Sequence, residues 1–280
     1  MLRSSLRLLD RQDRDEALEL CARDPVANTF VASRLLAHGV DNRAGGELWG
    51  YYDGGRLQSL CWSGANLAPV EATAAAIDAF ATRARRTGRH CSSIVGPASA
   101  VLPLWQRLAA HWGRPREVRA VQPLMALRTA PLVAADPGVR LVRPSELDAV
   151  LPACIAMFTE EVGYSPVLGD GGAVYRTQVA TLVASGRSFA RFDEVTGDVV
   201  FKAELGSVTT EVAQVQGVWV HPRFRGQGLA APGMAAVALA ARQRVAPVVS
   251  LYVNDFNVRA IRTYERVGFE RVGTYATVLF

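Results

Sequence analysis

Lysine is almost missing from this sequence: of its 31 basic residues only Lys202 is a lysine, and the rest are arginines. Cysteine is scarce as well. Cys21, Cys61, Cys91 and Cys154 stand far apart, so neither the close pairs of a zinc site nor a disulfide framework is present, and buried free thiols are expected. The histidines, His38, His90, His111 and His221, show no HxxxH spacing, and no metal is expected. No apolar run reaches the roughly 18 residues of a membrane crossing. The opening stretch MLRSSLRLLDRQDRDEALEL becomes charged too early for a signal peptide, so a cytoplasmic protein without a membrane partner is expected. Basic runs interleaved with aromatics are lacking too, and no nucleic-acid partner is expected. The densest cluster, Arg83, Arg85 and Arg86, reads as a solvated helix face.

What is present suits two domains of modest size: 280 residues, 50% of them apolar. The net charge of +5 is mild and fits an anionic small-molecule partner such as a nucleotide. Nothing in the pattern speaks to oligomeric state. The stretch TAPLVAADPG at 129–138 holds two prolines and a glycine without periodicity and reads as a linker. The expected division is a domain at 1–130, a linker at 131–138 and a second domain at 139–280.

Both halves read as α/β. In the second, a short strand at 139–143 ends at Pro144. Ser145 is placed to cap a helix to about residue 158, with Asp148 completing a capping box. A glycine- and proline-containing stretch, VGYSPVLGDGG, leads to another helix. Strands follow at 188–192 and 199–205 around Thr196-Gly197-Asp198, then a strand at 212–220. An alanine-rich helix at 229–244, a strand at 248–253, a helix at 257–267 and a β-prone tail complete the order. The first half is a weaker echo. It has a hairpin about Asp53-Gly54-Gly55, a helix at 72–87, a strand at 92–95 and a helix at 101–112 with Pro103 in its first turn. No sequence identity between the halves amounts to a repeat.

The segment richest in chemistry is Val218-Trp219-Val220-His221-Pro222-Arg223-Phe224-Arg225-Gly226-Gln227-Gly228-Leu229-Ala230, in which a strand runs into an arginine- and glycine-containing loop and a helix leaves it. A helix N-terminus carries unpaired N–H groups and the positive end of the helix dipole, so an anion placed there collects several backbone bonds. Gly226 and Gly228 let such an anion approach the main chain closely, and Arg223 and Arg225 add charge. The bland alternative is an ordinary strand–helix loop. A nucleoside-triphosphate loop is excluded because no Gly-Lys-Ser/Thr follows. A dinucleotide fold formally matches at Gly226, Gly228 and Ala231, with Asp255 as the ribose acid. The roughly fifty residues after the loop are too few for the strands and helices that fold still requires.

A second pattern follows the next strand. Asn257, Ala260, Ile261, Tyr264 and Val267 recur at three and four and share one helix face, which Gly268 terminates. Tyr264 on such a face is either a packed core tyrosine or a functional one.

Taken together, Arg223-x-x-Gly226-x-Gly228 and Asn257-x-x-Ala260-x-x-x-Tyr264-x-x-x-Gly268-Phe269 resemble the two acyl-CoA motifs of the GNAT (GCN5-related N-acetyltransferase) superfamily, in that family's order and near its spacing. The resemblance covers about residues 139–280. It implies a mixed, mostly antiparallel sheet flanked by helices, with acetyl-CoA as co-substrate and an amine as acceptor. Val218, Trp219 and Val220 would offer main-chain groups to the pantetheine arm like an added strand. Amides across Arg225, Gly226, Gln227, Gly228, Leu229 and Ala230 would hold the pyrophosphate, and Arg223 would open the motif. Asn257 would contact the cofactor and Tyr264 would face its sulfur and protonate the leaving thiolate. A main-chain N–H near Val218 would stabilise the oxyanion. Candidate bases are Glu204, Glu160 and Glu161, and Gln216 could orient a water. Pro232 falls in the first turn of the helix after the loop, where proline is tolerated.

The first half has the element order but not the loop. At the expected position stands Ile94-Val95-Gly96-Pro97-Ala98-Ser99-Ala100, without arginine. It reads as a degenerate GNAT-like domain, with an unrelated α/β domain as the alternative. For the whole chain the alternative to an acetyltransferase is a non-catalytic acyl-CoA sensor or interaction protein.

Overall fold

The computed structural model describes residues 5–40, 45–168 and 171–280. The strands are β1 (Ser5–Leu8), β2 (Glu47–Asp53), β3 (Arg56–Ser63), β4 (Asn66–Val70), β5 (Ser93–Pro97), β6 (Glu117–Leu127), β7 (Arg140–Leu141), β8 (Ser188–Phe192), β9 (Val199–Val208), β10 (Val212–Val220), β11 (Val248–Tyr252) and β12 (Glu270–Leu279). The helices are α1 (Arg14–Cys21), α2 (Thr29–His38), α3 (Ala74–Thr87), α4 (Ala98–Trp112), α5 (Leu147–Val162), α6 (Ala173–Ala184), α7 (Ala230–Arg244) and α8 (Val258–Val267). They fall into two units. One comprises the chain up to Met125 with Tyr252–Asn257 and Arg271–Phe280, and the other Ala126–Leu251 with Val258–Glu270.

In the first unit the strands lie in the order β1-β2-β3-β4-β5-β12-β6. The registered pairs are antiparallel except β4 with β5, which run parallel with α3 as the crossover. The expected hairpin is present: Gly54 and Gly55 take φ of +58° and +78°, the two positive values that a tight two-residue turn demands. Strand alternation then sorts side chains onto two faces. Leu48, Leu60 and Trp62 join Leu20 and Leu35 in one cluster. Trp49 and Cys61 join Phe80, Ile94, Leu104 and Leu108 in the other. Each such burial removes apolar surface worth about 1.5–3 kcal/mol per side chain. Helix α3 starts where Thr73 accepts from the Ala76 amide (3.2 Å) and buries Ile77, Phe80, Ala81 and Ala84 on one stripe. Helix α4 begins at Ala98, earlier than its sequence pattern suggested, so Pro103 lies in the second turn.

The division differs from the expected one at the C-terminus. Strand β12, read from sequence as the end of the second domain, belongs from Arg271 onward to the first unit. It pairs antiparallel with β5 from Tyr275↔Pro97 to Leu279↔Ser93, and it buries Ala276 and Val278 in the Trp49–Phe80 cluster. A β-prone tail records that it will be a strand; which sheet edge it joins is set by the edge that needs its apolar face covered.

In the second unit the order is β11-β10-β9-β8-β7, antiparallel except for β10 with β11, with α7 as the crossover. Val142, Val150, Cys154, Val179, Val183, Ala190 and Trp219 pack beneath α5 and α6. Phe201 points to the opposite face and meets α7 at Gly233, where a Cβ would stand 2.9 Å from the ring. The helix after β7 begins differently from expectation. Ser145 caps nothing and Asp148 pairs with Arg176 (2.6 Å). The cap is instead Glu146, which accepts from the Arg143 amide (2.8 Å) before α5 runs on to Val162. Residues 131–138 lie along the second unit: the Leu132 amide donates to the Val267 carbonyl (2.9 Å) and the Asp136 amide to the Pro232 carbonyl (3.0 Å).

Each unit opens with the same device. Arg7 on β1 makes two bonds to Asp13 (2.7 and 2.6 Å), whose carboxylate also accepts from the Asp10 amide (2.8 Å). Arg140 on β7 makes two bonds to Glu146 (2.8 and 2.7 Å), which in turn takes the Arg143 amide. Strand, short 3-10 turn and helix follow in both. These arginine hydrogen bonds hold both Asp13 and Glu146 down at about 2. An arginine followed six residues later by a carboxylate is thus a structural repeat that sequence identity alone did not reveal.

All four cysteines are free and buried. Among the described residues no helix is long and apolar enough to cross a membrane.

Candidate active site

Strand β10 organises the second unit's chemistry. Its parallel ladder to β11 covers only Val212↔Val248, Ala213↔Val249 and Gln214↔Ser250, so residues 215–220 have no registered partner on that side. Unpaired main-chain groups along an extended strand are a template for another extended chain. On its other side β10 pairs with β9, and the register shifts between Gln216 and Trp219. Gly217 and Val218 form the resulting bulge. Gly217 has φ of +61°, in the left-handed region that glycine enters without penalty.

Beyond Val220 the chain turns on His221, whose Nδ1 accepts from the Arg223 amide (3.2 Å), through a short 3-10 segment at Pro222–Phe224. Arg225 is extended, and Gly226 and Gly228 take φ of +79° and +78° with open space where a Cβ would stand. Helix α7 begins at Ala230 with no side chain capping its first turn. Its unpaired N–H groups, the dipole and an exposed glycine loop converge, which is the arrangement an anion requires. Pro232 sits in that first turn, where its missing N–H has no intrahelical partner to lose, and α7 continues to Arg244.

The two loop arginines have different partners. Arg223 is exposed and only grazes Asp198 at 4.0 Å. Arg225 donates from Nε to the Val220 carbonyl (2.9 Å) and from Nη2 to both oxygens of Glu160 (3.0 and 2.7 Å). Glu160 also accepts from the Trp219 indole N–H (3.1 Å). It therefore fastens the end of α5 to β10 and the loop. That is a clamp, with both carboxylate oxygens committed to Arg225.

Tyr264 lies on α8, 8% exposed, its ring edge-on to Phe269 at 6.0 Å. Burial, reinforced by the charge of Glu161, pushes its phenol well above the ordinary value, so it stays protonated at neutral pH. Asn257 closes a turn by donating from its amide to the Asn254 carbonyl (2.9 Å), in the segment Tyr252–Asn257 that groups with the first unit.

Glu204 on β9 is 4% exposed and stands opposite both Gln216 and Ser188. Lys202, two residues earlier on the same face, is 0% exposed and donates to Glu204 Oε1 at 2.6 Å. The Cys154 thiol, pushed up to about 12 chiefly by burial, lies 3.5 Å from the same oxygen. A Cβ at Gly217 would stand 3.1 Å from Lys202 Nζ, 3.2 Å from Glu204 Oε2 and 3.0 Å from Met157 Cε. The pair therefore sits directly beneath the bulge. Sequence reasoning named Glu204 but passed over Lys202 and Gly217. The signal was available: period-two alternation puts 202 and 204 on one face, and a buried lone lysine needs a carboxylate.

The first unit repeats the crossover, β4–α3–β5 corresponding to β10–α7–β11. Its strand-to-helix junction is therefore 71–73, and not the 94–100 segment expected from sequence, which spans the end of β5 and the start of α4. The junction holds Glu71, with φ of +48°, and Thr73, which caps α3.

Residues 174–269 match the model of the acetyltransferase (GNAT) family, and residues 46–150 that of a domain of unknown function, DUF4081. No curated protein matches the sequence. Among solved structures the chain is similar to a GCN5-related N-acetyltransferase from Sphaerobacter thermophilus, with 15% identity, a TM-score of 0.62 and 99% of this chain covering 96% of that one. It is also similar to a GNAT-family acetyltransferase from Colwellia psychrerythraea (12%, 0.58, 99% of each chain). A tandem GNAT protein from the clavulanic acid biosynthesis pathway matches at 16% identity with a TM-score of 0.60, over 99% of this chain and 98% of that one. At such identities the likeness speaks to the fold, and it extends over both units.

Proposed function

We propose that this protein, a tandem GNAT acetyltransferase, moves an acetyl group from acetyl-CoA to an amine acceptor by direct attack of the amine on the thioester. The observation that carries the reading is the junction of β10 with α7. An uncapped helix N-terminus, two glycines at positive φ and an unpartnered half-strand lie in sequence along one path. That path suits a pyrophosphate at the loop and an amide-bearing arm along 218–220. Amides across Arg225–Ala230 hold the pyrophosphate in this reading. Arg223, exposed and weakly paired, is available to it, while Arg225 is already committed to Glu160.

The chemistry balances as follows. The acceptor ammonium loses a proton to Glu204, directly or through water, and the neutral amine attacks the carbonyl carbon. The C–N bond forms, and the carbonyl electrons are held as an oxyanion by the Val218 N–H in the bulge. The C–S bond then breaks, the thiolate takes the proton of Tyr264, and the second proton of the attacking nitrogen passes through water to the tyrosinate, leaving the neutral amide and the CoA thiol. A phenol above a thiol in pKa makes that transfer uphill, which placement must offset. Tyr264 suits the donor role because its hydroxyl is neutral at working pH and no hydrogen bond ties it to another described residue. The charge of Glu161 raises its pKa further. Among the three carboxylates, Glu204 is favoured as base because Oε2 faces the bulge, whereas Glu160 is held by Arg225 and Trp219.

Calorimetric titration with acetyl-CoA, with free CoA and NADH as comparators, tests the cofactor, and a panel of primary amines tests the transfer. Micromolar binding of acetyl-CoA with acetylated product supports the reading. Binding without product from any amine returns the protein to the sensor class, and absence of binding removes both.

A further inference from the structure

The only lysine of the chain is also one of its most deeply buried charges. This sequence uses arginine at every other basic position. Lys202 is 0% exposed, ion-paired to Glu204 at 2.6 Å, and roofed by the β10 bulge at Gly217. The space there is narrow: Nζ would lie 3.1 Å from a Cβ at Gly217. A compact ammonium fits such a site and a broad guanidinium does not. Complete burial also means that Lys202 cannot itself be an acetyl acceptor.

We propose that Lys202 is the positioning residue of the base: it anchors Glu204 by Oε1 so that Oε2 faces the bulge, where the acceptor's proton is taken. The inference rests on the acetyl-transfer reading above. Among the described residues around Glu204, Lys202 is the cation placed to do this. Cys154 on α5 and Tyr175 on α6 are neutral, burial driving both upward in pKa, and Ser188 on β8 and Gln216 on β10 carry no charge. Without the ammonium, Glu204 loses its 2.6 Å ion-pair partner at a site where the carboxylate is only 4% exposed. Lys202 touches no reacting atom; it acts only through Glu204.

The test is the pH profile of kcat/KM with acetyl-CoA and the best amine of the panel, in the full chain. Lys202→Met is expected to move the acidic limb up by about one unit or more, with acetyl-CoA affinity unchanged. Glu204→Gln is expected to abolish that limb, and adding Lys202→Met to it is expected to change the rate no further. This double variant, which removes both charges at once, also serves if Lys202→Met alone does not fold. An unmoved limb in Lys202→Met, or a further loss in the double variant, overturns the proposal and leaves acetyl transfer standing. A wild-type protein that acetylates no amine overturns the acetyl-transfer reading, and the role of Lys202 falls with it.

Discussion

The two strand-to-helix junctions, β4 to α3 in the first unit and β10 to α7 in the second, occupy the same place in the same topology and have opposite character. The first is three residues long. Thr73 satisfies the Ala76 amide, and Glu71 adds a negative charge, held by the Asn28 side-chain amide at 3.0 Å. The second is nine residues long, leaves the first turn of α7 uncapped, and carries glycines and arginines. A cavity of about 360 Å³ beside the first junction is lined by Asp24 and Glu71 among others, so the room is there and the sign is wrong. A shared fold provides the helix N-terminus; a short list of local choices decides whether an anion can use it.

The strongest way to break this contrast is to count cofactors. We expect one acetyl-CoA per chain by calorimetry. Gly226→Pro, which removes an amide and cannot take φ of +79°, should weaken binding at least about a hundredfold. Glu71→Gly in the first unit should leave affinity and stoichiometry untouched. Two cofactors per chain, or an unaffected Gly226→Pro, would show that the junctions do not differ as their chemistry says.

Next in size is Tyr264→Phe. Loss of the proposed proton donor should lower kcat by about 10²–10⁴-fold while the acetyl-CoA dissociation constant stays put. Equal turnover in single-turnover experiments would make Tyr264 a core tyrosine and nothing more. Gly217→Ala comes third. The new methyl meets Met157, Lys202 and Glu204 at 3.0–3.2 Å, and the left-handed backbone adds about 1–2 kcal/mol. A thermal midpoint several degrees lower is expected, with the acceptor reaction impaired more than cofactor binding.

The smallest effect compares the opening arginine clamps. Asp13 and Glu146 sit at about 2, below the roughly 4 of an unfolded carboxyl. A depressed folded-state pKa stabilises fully above the unfolded value, and that stabilisation is lost as pH falls through about 2. Arg7→Met and Arg140→Met should each cost about 1 kcal/mol or less at pH 7 and flatten the acid-side loss of stability. Arg7→Met should cost more, because Asp13 is the more buried carboxylate, 10% exposed in its side chain against 21% for Glu146. Equal denaturant midpoints for the two variants would remove that ranking.

Much of the second unit was legible because its signals are local. Glycines 226 and 228 and the Tyr264 stripe are patterns of a few residues, and β10, α7 and α8 stand near where those patterns put them. The helix start at α5 was misread because Ser145 and Glu146 are adjacent and both able to cap; the bidentate hold of Arg140 on Glu146 decided between them. In the first unit the junction was misplaced by one strand, since two parallel strands each followed by a helix look alike until their pairing is known.

By itself the sequence determined which segments are strands and helices in the second half, that a glycine loop leads into the alanine-rich helix, and that the cysteines are not bridged. Those properties depend on residues within one or two turns of each other. Only the tertiary structure decided that the last strand completes the first unit's sheet, that Glu160 is bound to Arg225, and that the lone lysine lies paired beneath Gly217. Each of these brings together side chains or strands far apart in sequence or otherwise placed by a bulge. Such meetings follow from which surfaces must be buried together, and no local pattern encodes that.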